Sequence, residues 1–490
     1  METARRAHYR VTFVVLALGV GAYALLQSLV MPVLPTIQSS LGTSQTDVTW
    51  VLTAYLLSAS IFTPIMGRLG DMHGKKRLFV IALVALGVGS LLAALATSLS
   101  VMIVARAIQG IGGGVLPLAF GIIRDEFPAP KVPGAVGIIA ALTAVGSGLG
   151  IVFAGPIVDV LSYHWLFWIP LIMIAIGAVA AFLVIPESEH RSAGRVNWGT
   201  ALLLSGWLVA LLLAVSQAPS WGWGSPKVLG LLAVAVIIVV IWVIAETRSS
   251  NPLIDMTMMR IRTVWAANLV ALLMGIGMYA NFGFLPQFLQ TPASAGYGFG
   301  ASVTQSGLML LPMTVGMFLL GLASGSLAAR FGSRNILFAG SLLGAVGYFM
   351  LAFLHDYEVD IYIAMAIVGV GFGVAFSAMS NVVVAAVSPA QTGVASGMNA
   401  NIRTIGGSLG AAFMAGVVSI GASPSGLPKE SGYTNGFVML GVAVALAAFA
   451  ALLIPAIARN PDSRLEEPAE LAHGELALIA GGTVVGDESE

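Results

Sequence analysis

The stretch GRLGDMHGKKRLF, from Gly67 to Phe79, recurs in degraded form as GSLAARFGSRNILF, which begins at Gly325. Two glycine patterns repeat in the same order at a nearly constant offset: residues 110–114 match 369–373, and residues 146–150 match 406–410. Glycine is abundant in this chain, so one match alone means little. Three matches in one order at one offset predict that the chain contains a duplicated unit.

The composition predicts a membrane protein. Of the 490 residues, 58% are hydrophobic and 9% are charged, whereas a soluble domain has roughly a quarter charged residues. The net charge of zero gives no attraction to nucleic acid. The absence of cysteine excludes disulfides, thiolate metal sites and thiol nucleophiles. The glycine triplets lie inside apolar segments without a Gly-Lys-Ser/Thr sequence, so ATP-driven transport is not supported.

The apolar segments are long enough to be spanning helices, because a span needs about 20 mainly apolar residues. Lipid cannot satisfy free backbone groups, and the segments lack the alternation of a membrane barrel, so helices are expected. We interpret the first segment as a span rather than a signal peptide. The sequence predicts an all-α polytopic protein with about fourteen spans, near residues 11–31, 48–67, 78–97, 101–123, 134–158, 164–185, 199–216, 226–245, 264–289, 303–329, 335–354, 360–386, 394–420 and 434–457.

The basic residues predict the orientation of these spans. If both termini are cytoplasmic, nearly all of the 22 Lys and Arg residues fall in cytoplasmic loops or at the termini. Only Lys227 and Lys429 fall outside, while Arg106 and Arg403 lie within helices. This asymmetry follows the positive-inside rule and supports an even number of spans.

The offset of the repeat is longer than six helices require. The surplus is the segment with the spans at 199–216 and 226–245, so two six-helix bundles with two inserted helices are predicted. We expect an N-terminal bundle at 1–190, a linker with two extra spans at 191–262, a C-terminal bundle at 263–457 and a disordered cytoplasmic tail at 458–490.

With these features the chain resembles the major facilitator superfamily, specifically its fourteen-helix drug:proton antiporter family, from about residue 11 to 457. The strongest signal is Gly67 to Arg77, which is similar to the family's loop between helices 2 and 3: glycine-x-leucine-x-aspartate-x-x-glycine followed by basic residues. Gly74 permits a tight reversal, and Asp71 can cap a helix N-terminus or pair with arginine. We expect a gating latch from this motif; the alternative is an ordinary positive-inside turn. Its predicted members are Gly67, Asp71, Gly74, Lys75 and Arg77.

Two further segments are similar to motifs of the same family. Arg106 and Gln109 lie in helix 4, where a buried charge suits proton relay or gating, although Arg106 could instead snorkel to the external surface. Helix 5 resembles the antiporter-type motif, or alternatively is packed generically through small residues; its motif residues are Gly146, Gly150, Gly155 and Pro156. After the proline, the family's motif continues with two further glycines, and in this chain Asp159 and Val160 occupy those positions. We favour a short deletion, which would make Asp159 an external loop acid and a further candidate for the proton relay.

The chain lacks the aspartate that many members of this family carry in helix 1, because Leu26 or Gln27 occupies that position. None of the 22 acidic residues lies deep inside a predicted span, and the two charges embedded in helices, Arg106 and Arg403, are both positive. A neutral or anionic substrate fits this charge pattern better than a strongly cationic one. Proton coupling would then require Asp71, Asp159, Asp47 or a histidine such as His164.

Polar side chains within apolar spans are candidates for a substrate cavity. Each could instead form a hydrogen bond between two helices. The candidates are Gln27, Tyr55, Asn268, Tyr279, Asn281, Asn381, Asn399 and Arg403.

The resemblance implies a secondary active transporter that exports hydrophobic or amphiphilic small molecules by alternating access in exchange for protons. The alternative is an exporter or uniporter of one endogenous metabolite or lipid-like compound without proton coupling. We expect no enzyme activity, cofactor, metal or nucleic-acid partner. The expected partners are a small-molecule substrate, the proton and the lipid bilayer, for a monomer in the bacterial plasma (inner) membrane.

Overall fold

Fourteen long helices form the computed structural model of the chain, which describes residues 9–43, 45–48, 50–188, 197–249, 252–388, 391–419 and 428–455. The tail predicted at 458–490 lies outside these residues. The long helices are α1 Tyr9–Leu29, α2 Trp50–His73, α3 Lys75–Ala94, α4 Leu99–Glu126, α5 Val132–Val160, α6 Trp165–Val184, α7 Trp198–Trp221, α8 Pro226–Arg248, α9 Arg262–Gln290, α10 Val303–Phe331, α11 Ser333–Phe353, α12 Glu358–Ala385, α13 Thr392–Val418 and α14 Glu430–Ala451.

Each predicted span corresponds to one of these helices, and the described residues contain no strand. Thirteen of the described helices are both long and apolar enough to cross a membrane. The remaining one, α13, is as long as the others but carries Asn399, Asn401 and Arg403. The prediction of an all-α polytopic protein is confirmed.

Two helices differ from the predicted pattern. The motif Gly67–Arg77 was expected in a loop, but Gly67–His73 complete α2 and Lys75 begins α3. Gly74 alone joins the two helices, and its φ of 108° is a conformation that favours glycine. In α4, a 3₁₀ turn at Ile111–Gly114 interrupts the α-helix, because three successive glycines weaken α-helical order.

The packing of the helices repeats along the chain. In the first set α1 packs on α5, α2 on α4 and α3 on α6. Eight helices later, α9 packs on α13, α10 on α12 and α11 on α14. The duplicated sequence patterns therefore coincide with duplicated helix contacts.

The buried apolar residues form two large clusters. One contains residues of α1 to α6 together with Val384, and the other contains residues of α7 to α14 together with Ile65 and Ile151. The two sets meet mainly where α5 packs on α10 and where α2 packs on α13. We call these two contact regions the seams.

The inserted helices α7 and α8 pack on each other, with the rings of Trp207 and Trp242 5.9 Å apart. α7 also contacts α2 and α13, and the hydroxyl oxygens of Thr53 and Ser216 are 2.9 Å apart. In contrast, α8 exposes most of its apolar side chains, as expected of a helix that faces lipid.

Candidate functional site

Asp71, in the last turn of α2, connects the two helix sets. Its side chain is buried, and Oδ2 accepts a hydrogen bond from the backbone N–H of Val394 over 3.3 Å. Val394 lies in the first turn of α13, where the free N–H groups and the helix dipole stabilise an anion. Asp71 therefore binds the N-terminus of a helix from the other set.

Lys75 extends this contact into a buried charge cluster. Its Nζ atom lies 3.7 Å from Oδ1 of Asp71 and 2.8 Å from Oδ2 of Asp125, at the end of α4. All three side chains are at most 2% exposed. Because such charges are costly to bury without partners, any movement that separates α2 from α13 must also re-solvate or re-pair Asp71.

Arg124, next to Asp125 in α4, makes a second link to the other set. Nη2 donates to the carbonyl oxygen of Val387 over 2.7 Å, and Nη1 donates to Oγ1 of Thr392 over 2.8 Å and to the carbonyl oxygen of Val384. The guanidinium thus satisfies carbonyl groups at the end of α12 and a hydroxyl at the start of α13. From the sequence, Arg124 was counted only among the basic residues of the predicted cytoplasmic loops.

Gly67 allows α2 to approach α13 closely. A methyl group on Gly67 would lie 2.6 Å from the carbonyl oxygen of Gly393, and one on Gly393 would lie 3.0 Å from both carboxylate oxygens of Asp71. A methyl group on Gly74 would lie 2.3 Å from Oε1 of Glu187. We call this contact region the α2–α13 latch; it consists of Gly67, Asp71, Lys75, Arg124, Asp125, the end of α12 and residues 392–394. Arg77 is exposed and lies outside it.

The segment after α8 also reaches the latch. Oδ2 of Asp255 accepts a hydrogen bond from Nε2 of Gln391, the residue before α13, over 3.0 Å. Partial burial raises the pKa of Asp255, but hydrogen bonds from Thr257, the backbone of Met258 and Gln391 outweigh it, so the pKa lies below its ordinary value. Asp255 is thus held as an anion that ties the inserted segment to the start of α13.

Asp159 lies near the C-terminal end of α5, whereas the residues that connect α4 to α5 lie at its N-terminal end. It is in the last turn of α5, so the interpretation as a loop acid after a short deletion is wrong: the helix continues to Val160. The side chain is exposed, and Oδ2 accepts a hydrogen bond from Oγ1 of Thr304 in α10 over 2.9 Å. This contact joins the two helix sets at the other end of the bundle.

The glycines of the α5 motif serve two interfaces. Gly146 and Gly150 face α1, whereas Gly148 and Gly155 face α10. A methyl group on Gly146 would lie 2.7 Å from Cβ of Ala24, and one on Gly150 would lie 2.0 Å from Oγ of Ser28. On the other side, a methyl group on Gly148 would lie 1.9 Å from Oγ1 of Thr314, and one on Gly155 would lie 2.7 Å from Oγ1 of Thr304. Pro156 is part of the same helix. The spacing therefore lets α5 approach one helix of each set.

Arg106 is fully buried rather than extended to a surface. Nε donates to the carbonyl oxygen of Val51 over 3.0 Å, and Nη1 donates to Oε1 of Gln109 over 2.7 Å. The guanidinium carbon lies 4.3 Å from the centre of the Tyr55 ring, and Gln109 donates to Oγ of Ser90 over 3.2 Å. The pair Arg106–Gln109 thus connects α4 to α2 and α3 within one helix set.

Arg106→Ala is expected to lower the free energy of unfolding by about 2–4 kcal/mol, because buried acceptors lose their donors and a void opens over the Tyr55 ring. Arg106→Lys should recover only part of this loss, since lysine cannot reproduce the planar fork. The measurement is thermal unfolding in detergent, with Arg330→Ala as the control because Arg330 is exposed. An Arg106→Ala protein as stable as this control would contradict the expectation.

A small cavity lies between the two helix sets. Arg403 lines it, about 13 Å along α13 from Val394 at 1.5 Å per residue. The other polar residues that line it are Tyr23, Gln27, Thr63, Thr143, Tyr279 and Thr404. The cavity offers about 20 Å³ to the centres of water molecules, which is room for about one water. A drug-sized ligand needs about 300–1,000 Å³, so the site is closed around its centre in this conformation.

Three of the eight predicted cavity residues line this cavity: Gln27, Tyr279 and Arg403. Nε2 of Gln27 donates to the hydroxyl of Tyr279 over 3.2 Å, which joins α1 to α9 across the two sets. The sequence did not single out Tyr23 or the threonines. Tyr23 lies four residues before Gln27 and hence on the same helix face, a signal that could have identified it.

The other five predicted residues lie elsewhere. Asn399 donates to Oδ1 of Asn268 over 3.0 Å and so bridges α13 and α9. Asn281 is buried, and its amide contacts the sulfur atoms of Met313 and Met365. Tyr55 lies under Arg106, and Asn381 does not line the cavity. For Asn268, Asn281, Asn399 and Tyr55, the alternative of a hydrogen bond or contact between helices describes the structure better.

Arg403 carries an uncompensated charge at the cavity wall. Its Nε atom is buried without a hydrogen-bond partner, and its guanidinium carbon lies 5.2 Å from the centre of the Phe376 ring. A cation–π contact is worth about 0.5–2 kcal/mol, whereas placing arginine at the centre of a membrane helix costs about 2.5–3.5 kcal/mol or more. The ring alone does not offset that cost.

Comparison with known proteins identifies the family. The sequence profile of the Major Facilitator Superfamily matches residues 16–411 and, in a second match, residues 269–483. The first match begins in α1 and the second in α9, the equivalent helix of the second set. The human organic anion transporter MFSD10 (TETRAN) has a similar structure, with a TM-score of 0.65 over 90% of this chain and 99% of that chain at 18% sequence identity.

Several bacterial proteins are similar along most of the chain. The multidrug transporter protein MdtP of Bacillus subtilis is 30% identical over 79% of this chain and 71% of its own length. The tetracenomycin C resistance and export protein of Streptomyces glaucescens is 29% identical over 82% of this chain and 74% of its own length. The multidrug resistance protein Stp of Mycobacterium tuberculosis is 29% identical over 82% of this chain and 75% of its own length. The repeated helix packing and the profile match over most of the chain together establish that this protein belongs to the Major Facilitator Superfamily.

Proposed function

We propose that this protein exports amphiphilic, drug-like small molecules across a bacterial plasma membrane by alternating access, in exchange for protons. The observation that carries the proposal is a central cavity whose two flanking seams are both formed between the helix sets. The names of the bacterial relatives support drug export. The two bundles are proposed at 1–190 and 263–457, with 191–262 as a linker that carries two extra spans.

The α2–α13 latch would close the cytoplasmic side, with both termini in the cytoplasm. Opening would break the Asp71–Val394 and Arg124–Thr392 hydrogen bonds. At the other side, opening would separate Asp159 from Thr304. In this proposal each side would have contacts that only its closed state makes, as alternating access requires.

Asp71 is the proposed proton-coupled group. Protonation would remove the charge that interacts with Lys75 and with the N-terminus of α13, and so would weaken the latch. Asp159 is the second candidate, because it is the acid at the other seam. Arg106 and Gln109 would support the helix set through which the latch acts.

Proteoliposomes that contain an internal pH dye test the exporter and its coupling. Substrate-dependent proton flux is expected under an imposed proton gradient, and Asp71→Asn should reduce it by at least about tenfold. Asp356→Asn is a matched control, because Asp356 is exposed and lies outside both seams. Substrate movement without proton flux would contradict antiport, and no substrate movement at all would contradict the exporter.

A uniporter or an exporter of one endogenous compound is the second candidate. It is favoured by two observations: no Asp or Glu lines the described cavity, and Leu26 is part of the apolar core. In the same assay, this candidate predicts movement of a narrow set of substrates that is independent of the proton gradient.

A further inference from the structure

The side chains that line the cavity differ in whether they can still donate a hydrogen bond to a ligand. The hydroxyls of Thr63, Thr143 and Thr404 each donate to a carbonyl oxygen four residues earlier in their own helix. Their protons are therefore already used, as is common for threonine within membrane helices. These three side chains can therefore accept hydrogen bonds from a ligand but cannot donate them.

Four other lining side chains carry N–H or O–H donors: Tyr23, Gln27, Tyr279 and Arg403. The hydroxyl of Tyr279 accepts a hydrogen bond from Gln27, so its own proton is free for a ligand. Arg403 has five N–H donors, and its Nε is buried without a partner. All four residues line the same cavity, and Arg403 is the only charged residue among those that line it.

No acid compensates Arg403 in the part of the chain that the structure describes. The ion pairs found there join Lys75 to Asp71 and Asp125, and His355 to Glu430. The lining residues of the cavity include no Asp or Glu. A guanidinium that faces a closed, water-poor site without a carboxylate is a strong attractor for an anion that can accept two hydrogen bonds.

We infer that the cavity takes amphiphilic anions, which carry one carboxylate, sulfonate or phosphate group on an apolar body. This inference rests on the proposed function, because it assigns the substrate class of the exporter. Arg403 would bind the anionic group, with Tyr279 as a second donor. Leu56, Leu116 and Ala59 would contact the apolar body.

The test compares two probes that share one framework and differ by a sulfonate group: 8-anilinonaphthalene-1-sulfonate, an anion, and N-phenyl-1-naphthylamine, which is neutral. Equilibrium dialysis against the full-length protein in detergent, with detergent alone subtracted, measures their binding. The anion is expected to bind at least about tenfold more tightly than the neutral probe. Equal binding of the two probes would overturn the inference without any mutation.

Substitutions then locate the effect. Arg403→Gln is expected to weaken binding of the anion by about tenfold to a hundredfold and to change binding of the neutral probe by no more than about twofold. The affinity of Arg403→Lys for the anion should fall between those of the wild type and Arg403→Gln, since lysine keeps the charge without the fork. Arg330→Gln is the matched control, because Arg330 is an exposed arginine of α10. Anion binding that survives Arg403→Gln unchanged would overturn the assignment, and neutral-probe binding reports whether the variant is folded.

Transport of the same probes separates this inference from the proposed function. Movement of the anion into proteoliposomes, reduced by Arg403→Gln, would support both. Arg403-dependent binding without movement of the anion would overturn export and leave the site assignment standing. Movement of the cation ethidium or the neutral probe, but not of the anion, would overturn the anion assignment and leave export standing.

Discussion

Gly67→Val is expected to reduce transport by roughly 10- to 100-fold, because α2 and α13 could no longer approach each other at the latch. Even the first carbon of the new side chain would lie 2.6 Å from the carbonyl oxygen of Gly393, which is a backbone atom and cannot rotate away. Overpacking of this kind costs about 1–3 kcal/mol. The closed latch would lose that amount relative to the open state.

A single engineered cysteine measures the latch directly, because the native chain contains none. Ser396 is buried and lies three residues after Gly393, on the same face of α13. In a Ser396→Cys background, Gly67→Val should accelerate labelling by a membrane-impermeant thiol reagent by about 5- to 150-fold, which is the range that a loss of about 1–3 kcal/mol gives. Gly283→Val is the matched control, since nothing lies within 4 Å of its new carbon. Wild-type transport with slow labelling in Gly67→Val would disprove this account.

Arg124→Ala is the second substitution with a large expected effect. It removes the donor of three hydrogen bonds, to Val384, Val387 and Thr392, that cross from α4 to the other helix set. Charge-assisted hydrogen bonds are worth about 1.5–3 kcal/mol each but are not additive. For a partly buried side chain we expect a total loss of about 2–4 kcal/mol for the closed latch, which corresponds to roughly a 30- to 1,000-fold increase in its open population.

The same cysteine assay checks this expectation. Labelling of Ser396→Cys should become faster in Arg124→Ala and should not return to the wild-type rate in Arg124→Lys, because a single ammonium group cannot reach all three acceptors. Arg330→Ala should leave the labelling rate unchanged. If Arg124→Ala labels as slowly as this control, Arg124 does not stabilise the latch.

The sequence predicted the fold well because its signals are local. Length and hydrophobicity identify each span without knowledge of its neighbours, and the inserted pair was evident from the spacing of the repeat. The motif around Asp71 was also found, although its residues proved to be helical. A glycine with positive φ can join two helices directly, so a loop was not needed at Gly74.

The sequence by itself determined the number and order of the helices and their duplication, and it placed Gly67, Asp71 and Lys75 in one motif. Tertiary structure alone decided which polar residues meet: Asn268 binds Asn399 rather than a ligand, Arg124 reaches α12 and α13, and Arg403 faces the cavity with Tyr279. The reason is that these helices are apolar on nearly every side. Without an amphipathic stripe, the sequence does not indicate which face of a helix packs on which partner, and only the helix packing itself fixes that choice.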